Sequence, residues 1–234
     1  MTKVSHSIGY ATPIVIVFGL FMTYVLAPEF YLAYILEEVQ REQGAVEIVT
    51  FWSAIIGGAM LLASSWTFWK SGNWAAAGII GAVSGASILF AGEEIGWGQI
   101  HFGWETPLWW STRFGGSTDL HSSRFPVHTL GAIFLFVIFI LLPLVWKFQR
   151  PFRLPANLKP AIPEGPVIFI IVFATLYREL KGFYFWLTPL GYRDRFYEEF
   201  LWGLNEHKEM LIAIAMLLYA LYRLPHLKQI RSPS

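Results

Sequence analysis

Residues 74–99 read WAAAGIIGAVSGASILFAGEEIGWGQ. The apolar part of this stretch is about 20 residues long, enough for a helix to cross a bilayer. Two adjacent carboxylates, Glu93 and Glu94, follow at its end, and ionisable groups at that depth are costly and mark functional sites. Its many glycine, alanine and serine residues let neighbouring backbones approach closely. We therefore expect this helix in the middle of a helical bundle, carrying the carboxylates with it.

The composition of the 234 residues also indicates a membrane protein. Hydrophobic residues make up 55% of the chain and charged residues 14%, against roughly 25% charged residues in soluble domains. The chain has no cysteine, which excludes disulfides, thiolate metal sites and cysteine nucleophiles. A formal net charge of +1 gives no footprint for nucleic acid. Any chemistry must therefore use carboxylates, imidazoles, hydroxyls or a bound cofactor.

Six apolar stretches approach the length of a spanning helix. They cover residues 10–28, 48–69, 74–96, 127–146, 165–187 and 200–222. The first is interpreted as a retained helix rather than a signal peptide, because no clear cleavage site follows it. No repeat or polar linker divides the chain. We therefore predict one all-α domain over residues 1–234, an integral membrane bundle of about six transmembrane helices.

Charge placement orients this predicted bundle, because lysine and arginine collect in short cytoplasmic segments. One predicted side holds nine of the 17 basic residues and only one of the 16 acids, Glu164. These basic residues are Lys3, Lys70, Lys147, Arg150, Arg153, Lys159, Arg223, Lys228 and Arg231. We predict that both termini lie on this cytoplasmic side of a bacterial inner membrane. The basic loop 147–159 is expected to contact anionic lipid, and the opposite, acidic side faces outward.

Several further polar residues are expected at the same depth as the two glutamates. If the third helix continues beyond residue 96, Glu94 and His101 share one face and Glu93 lies beside Trp97 at i+4. His128 is about one turn inside the fourth helix. The remaining candidates for a binding role are Gln99, Glu105, His121, Arg178 and Glu206, and His207 lies beside Glu206. The sequence thus predicts one polar cluster at the outer end of the bundle.

The chemistry of such a cluster has two interpretations. Carboxylates beside imidazoles in a low-dielectric site can activate water, directly or through a metal. A divalent metal held by His128, His207 and a glutamate has acceptable ligand chemistry. The alternative is a structural ion-pair network in which the arginines and lysines of the same region neutralise the acids. The sequence leaves both interpretations open.

At Glu93-Glu94-Ile95-Gly96-Trp97 the chain resembles the first motif of the CPBP intramembrane proteases, the CAAX protease and bacteriocin-processing family. Members carry two glutamates, three further residues and an arginine, and a second motif of phenylalanine, three residues and histidine. The resemblance implies that Glu93 and Glu94 activate water and that His128 is the second-motif histidine. Gly98 stands at the arginine position, and Phe125 lies three residues before His128 instead of four.

A longer resemblance is to an uncharacterised group of bacterial multi-pass membrane proteins. Their motifs are Glu-Glu-Ile-Ser-Trp-Gly-Gln, Glu-Thr-Pro and Asn-Leu-His, and the matching stretches here are 93–99, 105–107 and 119–121. Gly96 replaces the serine and Asp119 the asparagine. This resemblance implies a site that joins Glu93 and Glu94 to Gln99, Glu105 and His121, without implying a reaction.

The leading functional hypothesis is a hydrolase-like enzyme with a Glu/His site at the outer face, acting on a peptide or a lipid. In it, Glu94 is the base, Glu93 its partner, and His128 or His121 an oxyanion-stabilising or metal-binding group. The alternative is a non-enzymatic binding or accessory subunit that recognises a lipid, haem, quinone or protein partner. A transporter is less compatible with the sequence, which has no clear charge at the membrane midplane and no repeated halves.

Overall fold

The computed structural model describes residues 3–36, 44–98, 103–114, 127–148, 154–188 and 194–231. All regular secondary structure in these ranges is helical, which confirms the all-α prediction. The α-helices are α1 Lys3–Leu26, α2 Pro28–Phe30, α3 Ala45–Lys70, α4 Trp74–Glu94, α5 Leu108–Phe114, α6 Val127–Leu135, α7 Leu142–Lys147, α8 Gly165–Leu187 and α9 Leu204–Arg231. Three π-helical segments are π1 Tyr31–Leu36, π2 Phe136–Leu141 and π3 Tyr197–Leu201.

Four helical stretches are long and apolar enough to cross a membrane. They are His6–Leu26, Ala45–Lys70, Trp74–Glu94 and Thr129–Lys147, the last of which runs through α6, π2 and α7. In the most apolar parts of the first and the last, only 11% and 6% of residues are buried inside the protein. Apolar side chains that point outward over this length are what a lipid-facing helix requires. These four stretches match the first four predicted spans.

The fifth and sixth predicted spans form as helices, α8 and α9, but are not among these four. Each carries three charged residues near one end. They are Arg178, Glu179 and Lys181 in α8, and Glu206, Lys208 and Glu209 in α9. A crossing by either helix therefore stays a prediction.

The chain forms two compact units. Unit 1 consists of Met1–Ser53 and Gly165–Ala215, and unit 2 of Ala54–Glu164 and Met216–Ser234. The expectation of a single domain over residues 1–234 stays a prediction.

Unit 1 has an aromatic core. Ring pairs with centroids 5.3 to 5.6 Å apart join Tyr24 and Tyr31 to Phe200, and α1 packs on α8 through an edge-to-face contact of Tyr10 with Phe169. Tyr31 and Phe200 belong to π1 and π3, the two π-helical segments of this unit. Aromatic pairs of this geometry stabilise a core beyond their buried area. These ring contacts therefore hold π1 and π3 against the helices of unit 1.

In unit 2, α3 and α4 approach closely, as the small residues of α4 predict. The Ser84 hydroxyl donates to the Gly58 carbonyl at 2.7 Å, and the Ser87 hydroxyl donates to the Ala54 carbonyl at 2.8 Å. Both serines are fully buried. Asn73 caps the start of α4 by accepting from the Ala76 N–H. The two serine bonds hold α4 against α3 over the turns that precede Glu93.

Candidate functional site

Helix α4 ends at Glu94, immediately after the two glutamates. Gly96 and Trp97 both have left-handed backbones, with φ of +51° and +54°. Glycine adopts this conformation without strain, but a tryptophan in it costs on the order of 1–2 kcal/mol. The helix therefore does not continue through residue 96, which was the condition for Glu94 and His101 to share one face. His101 itself lies outside the described residues.

The left-handed turn folds the Trp97 side chain back onto the end of α4. Its indole N–H donates to Glu93 Oε1 at 2.6 Å, so the predicted contact of Glu93 with Trp97 is confirmed, though through a turn instead of a continuous helix. The ring covers Gly92, where an added Cβ would lie 2.8 to 3.0 Å from three ring carbons. Only glycine fits under the indole. Gly92, Glu93, Gly96 and Trp97 therefore form one fixed structure, which we call the carboxylate turn.

The carboxylate turn distinguishes the two glutamates. Glu93 Oε1 is held as an acceptor by the indole, which orients this carboxylate. Glu94 is the next residue on the helix, and successive side chains diverge by roughly 100°. Both residues are partly exposed, so water can reach them. Strain of this kind at a non-glycine residue persists only where the surrounding contacts fix it, and it clusters at functional sites.

The other predicted site residues of unit 2 are placed only in part. Glu105 is exposed, in the segment that precedes α5. His128 is the second residue of α6, and its side chain lies outside the described part of the structure. Gln99 and His121 also lie outside the described residues. Contacts of these four residues with Glu93 and Glu94 stay predictions.

Arg178 and Glu206 belong to unit 1. The Arg178 guanidinium pairs with Glu179 at 2.8 Å and donates to the Asn205 side chain at 3.0 Å, which joins the end of α8 to the start of α9. Arg178 is exposed and Glu206 is partly exposed. Because Glu93 and Glu94 belong to unit 2, the single cluster that would unite all these residues stays a prediction.

His207 is fully buried between two tyrosines of unit 1. The Tyr31 hydroxyl lies 2.8 Å from Nε2, and the Tyr177 hydroxyl lies 3.2 Å from Nδ1. Both ring nitrogens are thus engaged, and a metal on His207 would displace one tyrosine. Among the described residues, no group of three or more histidine or acidic side chains is placed to hold a metal. Sequence reasoning selected His207 but missed both tyrosines, which lie 176 and 30 residues away along the chain.

Acids near the end of α1 are neutralised within unit 1. Arg195 pairs with Glu199 at 2.6 Å and with Glu29 at 3.1 Å, and the Tyr24 hydroxyl donates to Glu199 at 3.1 Å. Asp194 accepts from the Tyr184 hydroxyl and from a backbone N–H, and these bonds lower the pKa of its carboxyl group. For these acids the structure favours the ion-pair network over a reactive site.

A second charged contact, in unit 2, was not predicted. Arg223 is 1% exposed, and its guanidinium pairs with Glu164 at 2.6 Å and donates to the Ile162 carbonyl at 2.9 Å. The same guanidinium stacks 4.3 Å over the ring of Tyr219, whose hydroxyl donates to the Ala161 carbonyl. One sequence signal could have found this pair, because Glu164 is the single acid on the predicted inner side.

Comparison of the chain with protein-family models, with curated proteins and with solved structures gave no match. The carboxylate turn therefore has to be interpreted from its own geometry.

Proposed function

We propose that the protein is a membrane-embedded, hydrolase-like enzyme whose site is the carboxylate turn at the outer end of α4. The observation that carries the proposal is the 2.6 Å bond from the Trp97 indole to Glu93 in a strained turn. In this proposal Glu93, oriented by the indole N–H, is the partner carboxylate, and Glu94 is the base that removes a proton from water. His128 or His121 would stabilise the developing oxyanion, in keeping with the resemblance to the CPBP proteases.

The proposed substrate is a peptide or a lipid of the outer leaflet. Gln99, His101 and Glu105 would bind it near the carboxylate turn. A divalent metal on His128 would activate water in the same position. His207 could bind a metal only after losing its contact with Tyr31 or Tyr177, so it is less suited than His128 to be a metal ligand.

The proposed topology has six crossings in a bacterial inner membrane, with both termini in the cytoplasm. Contacts between loops assigned to the same side support it. On the predicted inner side, the Asn73 side chain donates to the Asn157 carbonyl at 2.8 Å, and Arg223 pairs with Glu164. On the predicted outer side, Arg195 pairs with Glu29. An odd number of crossings between any of these partners would separate them across the bilayer.

The test compares Glu94→Gln with Glu93→Gln in lipid nanodiscs, using a fluorogenic phospholipid ester and a fluorogenic transmembrane peptide as probes. We expect the wild type to hydrolyse one of them. Glu94→Gln should lower kcat at least about 100-fold, the usual effect of removing a general base. Glu93→Gln should lower it less, because its amide oxygen can still accept from Trp97. Glu29→Gln, at a side chain that is 87% exposed, is the matched control and should leave kcat unchanged.

Circular dichroism and the melting temperature of each variant distinguish chemistry from folding. The proposal requires that Glu94→Gln keep the wild-type helix content and melting temperature while it loses turnover. A wild type inactive on both probes, or a Glu94→Gln variant with wild-type kcat, would contradict the enzymatic role. A variant that loses stability together with turnover would instead support a structural network.

A second candidate function is a binding or accessory subunit. The observation in its favour is the exposed apolar surface of the segment after the carboxylate turn, where Trp104, Leu108 and Trp109 are 55%, 83% and 65% exposed. Contiguous exposed apolar side chains mark surfaces that bind lipid or protein. Recovery of the protein from gently solubilised membranes in a stoichiometric complex with a partner, haem or quinone would favour this function.

A further inference from the structure

Unit 1 contains an apolar groove along the face of α1. Its volume is about 270 Å³. The walls are α1, the end of π1 and the start of α3, and Met210 of α9 lines it as well. The lining residues are Val15, Ile16, Gly19, Leu20, Thr23, Ile35, Ala45, Val46, Val49 and Met210. Gly19 leaves this space open, since a Cβ added there would meet no atom within 4 Å.

The groove offers no free side-chain hydrogen-bond donor to a ligand. Its one hydroxyl, that of Thr23, donates to the Gly19 carbonyl of its own helix at 2.9 Å. The other lining side chains are aliphatic or methionine. A water molecule needs two to four polar partners in a cavity, and the lining side chains provide only one, the Thr23 hydroxyl oxygen. The occupant must therefore be apolar.

Two walls of the groove, α1 and α3, continue into surfaces that would face lipid. On α1, Ile14 and Phe18 are 53% and 63% exposed, and on α3, Ile48 and Trp52 are 50% and 56% exposed. Both helices are long and apolar enough to cross a membrane. The groove therefore opens onto the surface that acyl chains cover, and an unfilled space there would lose packing contacts.

We infer that the groove binds an acyl chain of a bilayer phospholipid and holds it between α1 and α3. The acyl chain enters the groove laterally from the bilayer, packs along Gly19, and makes only dispersion contacts with the lining residues. This lipid site is independent of the carboxylate turn, which lies in unit 2.

The test uses the full-length protein in phosphatidylcholine nanodiscs that contain a phospholipid with a photoactivatable diazirine in its acyl chain. Peptide mapping by mass spectrometry measures cross-linking to residues 15–23 and 45–49. Gly19→Leu fills the groove without a backbone clash. We expect it to lower cross-linking there about tenfold, equivalent to about 1.4 kcal/mol. Gly85→Leu on α4 is the matched control, because a Cβ at Gly85 also meets nothing within 4 Å.

Cross-linking to Leu62 of α3 and Leu89 of α4, which are 56% and 51% exposed and lie outside the mapped ranges, is the internal reference, since surrounding lipid should label these positions equally in all variants. Wild-type labelling of the groove above this reference, lost in Gly19→Leu and kept in Gly85→Leu, is the expected result. Labelling of the groove at or below the reference in the wild type would overturn the inference. So would groove labelling that Gly19→Leu leaves unchanged.

Discussion

Replacing Arg223 by methionine should lower the melting temperature of the protein in detergent by roughly 6–12 °C. The guanidinium is 1% exposed, and its partner Glu164 is 21% exposed. Removing one member of a buried pair leaves the other charge uncompensated, at a cost on the order of 3 kcal/mol. Two further contacts disappear with it, the bond to the Ile162 carbonyl and the stacking on Tyr219. Differential scanning fluorimetry measures the shift.

Two other substitutions separate the pair from general effects of charge. Glu164→Gln retains an oxygen that can accept from Arg223, so it should cost less than Arg223→Met. Lys159→Met removes an exposed cation from the same unit and should change stability by no more than about 0.5 kcal/mol. If Arg223→Met lowered the melting temperature no more than Lys159→Met does, the buried pair would not stabilise this unit.

Replacing His207 by leucine should destabilise unit 1 by about 2–4 kcal/mol. Leucine fills much of the imidazole volume but leaves the hydroxyls of Tyr31 and Tyr177 buried without their partner. A buried hydroxyl without a hydrogen bond costs about 1–3 kcal/mol. Because the Tyr31 contact is the shorter, at 2.8 Å, we expect it to account for more of the loss. Thermal unfolding of the purified variant measures the effect.

A triple variant tests the cause of this loss. When every partner in a hydrogen-bonded set becomes apolar with similar shape, the net cost can be nearly zero. Tyr31→Phe and Tyr177→Phe, added to His207→Leu, should therefore restore most of the lost stability. A triple variant as unstable as His207→Leu alone would show that the loss of stability comes from packing and not from the tyrosine hydroxyls left without a hydrogen bond.

The sequence predicted the helices well because membrane helices have a strong local signal. Residues 48–69 and 74–96 correspond closely to α3 and α4, since a long apolar run has no other way to satisfy its backbone in lipid. The same signal placed the end of α4 two residues too late. Gly96 is a common residue just after a helix, but the left-handed conformation of Trp97 has no local signal, because it depends on the ring finding space over Gly92.

The candidate site was predictable only as a set of residue types. Glu93 and Glu94 stand out by their position at the end of a span. The i+4 spacing indicated Trp97 beside Glu93 on a continuous helix, whereas the contact is made through a left-handed turn. The partners of His207 could not be predicted, because Tyr31 and Tyr177 are brought to it by tertiary packing of π1 and α8. π-helical segments such as π1 and π3 are rare and frequently lie at functional sites. No residue pattern in them predicts that their turns are wider than those of an α-helix.

The proposed enzymatic site requires that the carboxylate turn face water on the outer side of the membrane. Substituted-cysteine labelling tests it directly, because the natural chain contains no cysteine. Glu94→Cys and Ser71→Cys place single thiols at opposite ends of α4, and intact cells are treated with a membrane-impermeant maleimide. We predict labelling of Glu94→Cys in intact cells and of Ser71→Cys only after permeabilisation. The reverse pattern, or a Glu94→Cys variant that reacts under neither condition, would contradict the outward-facing site.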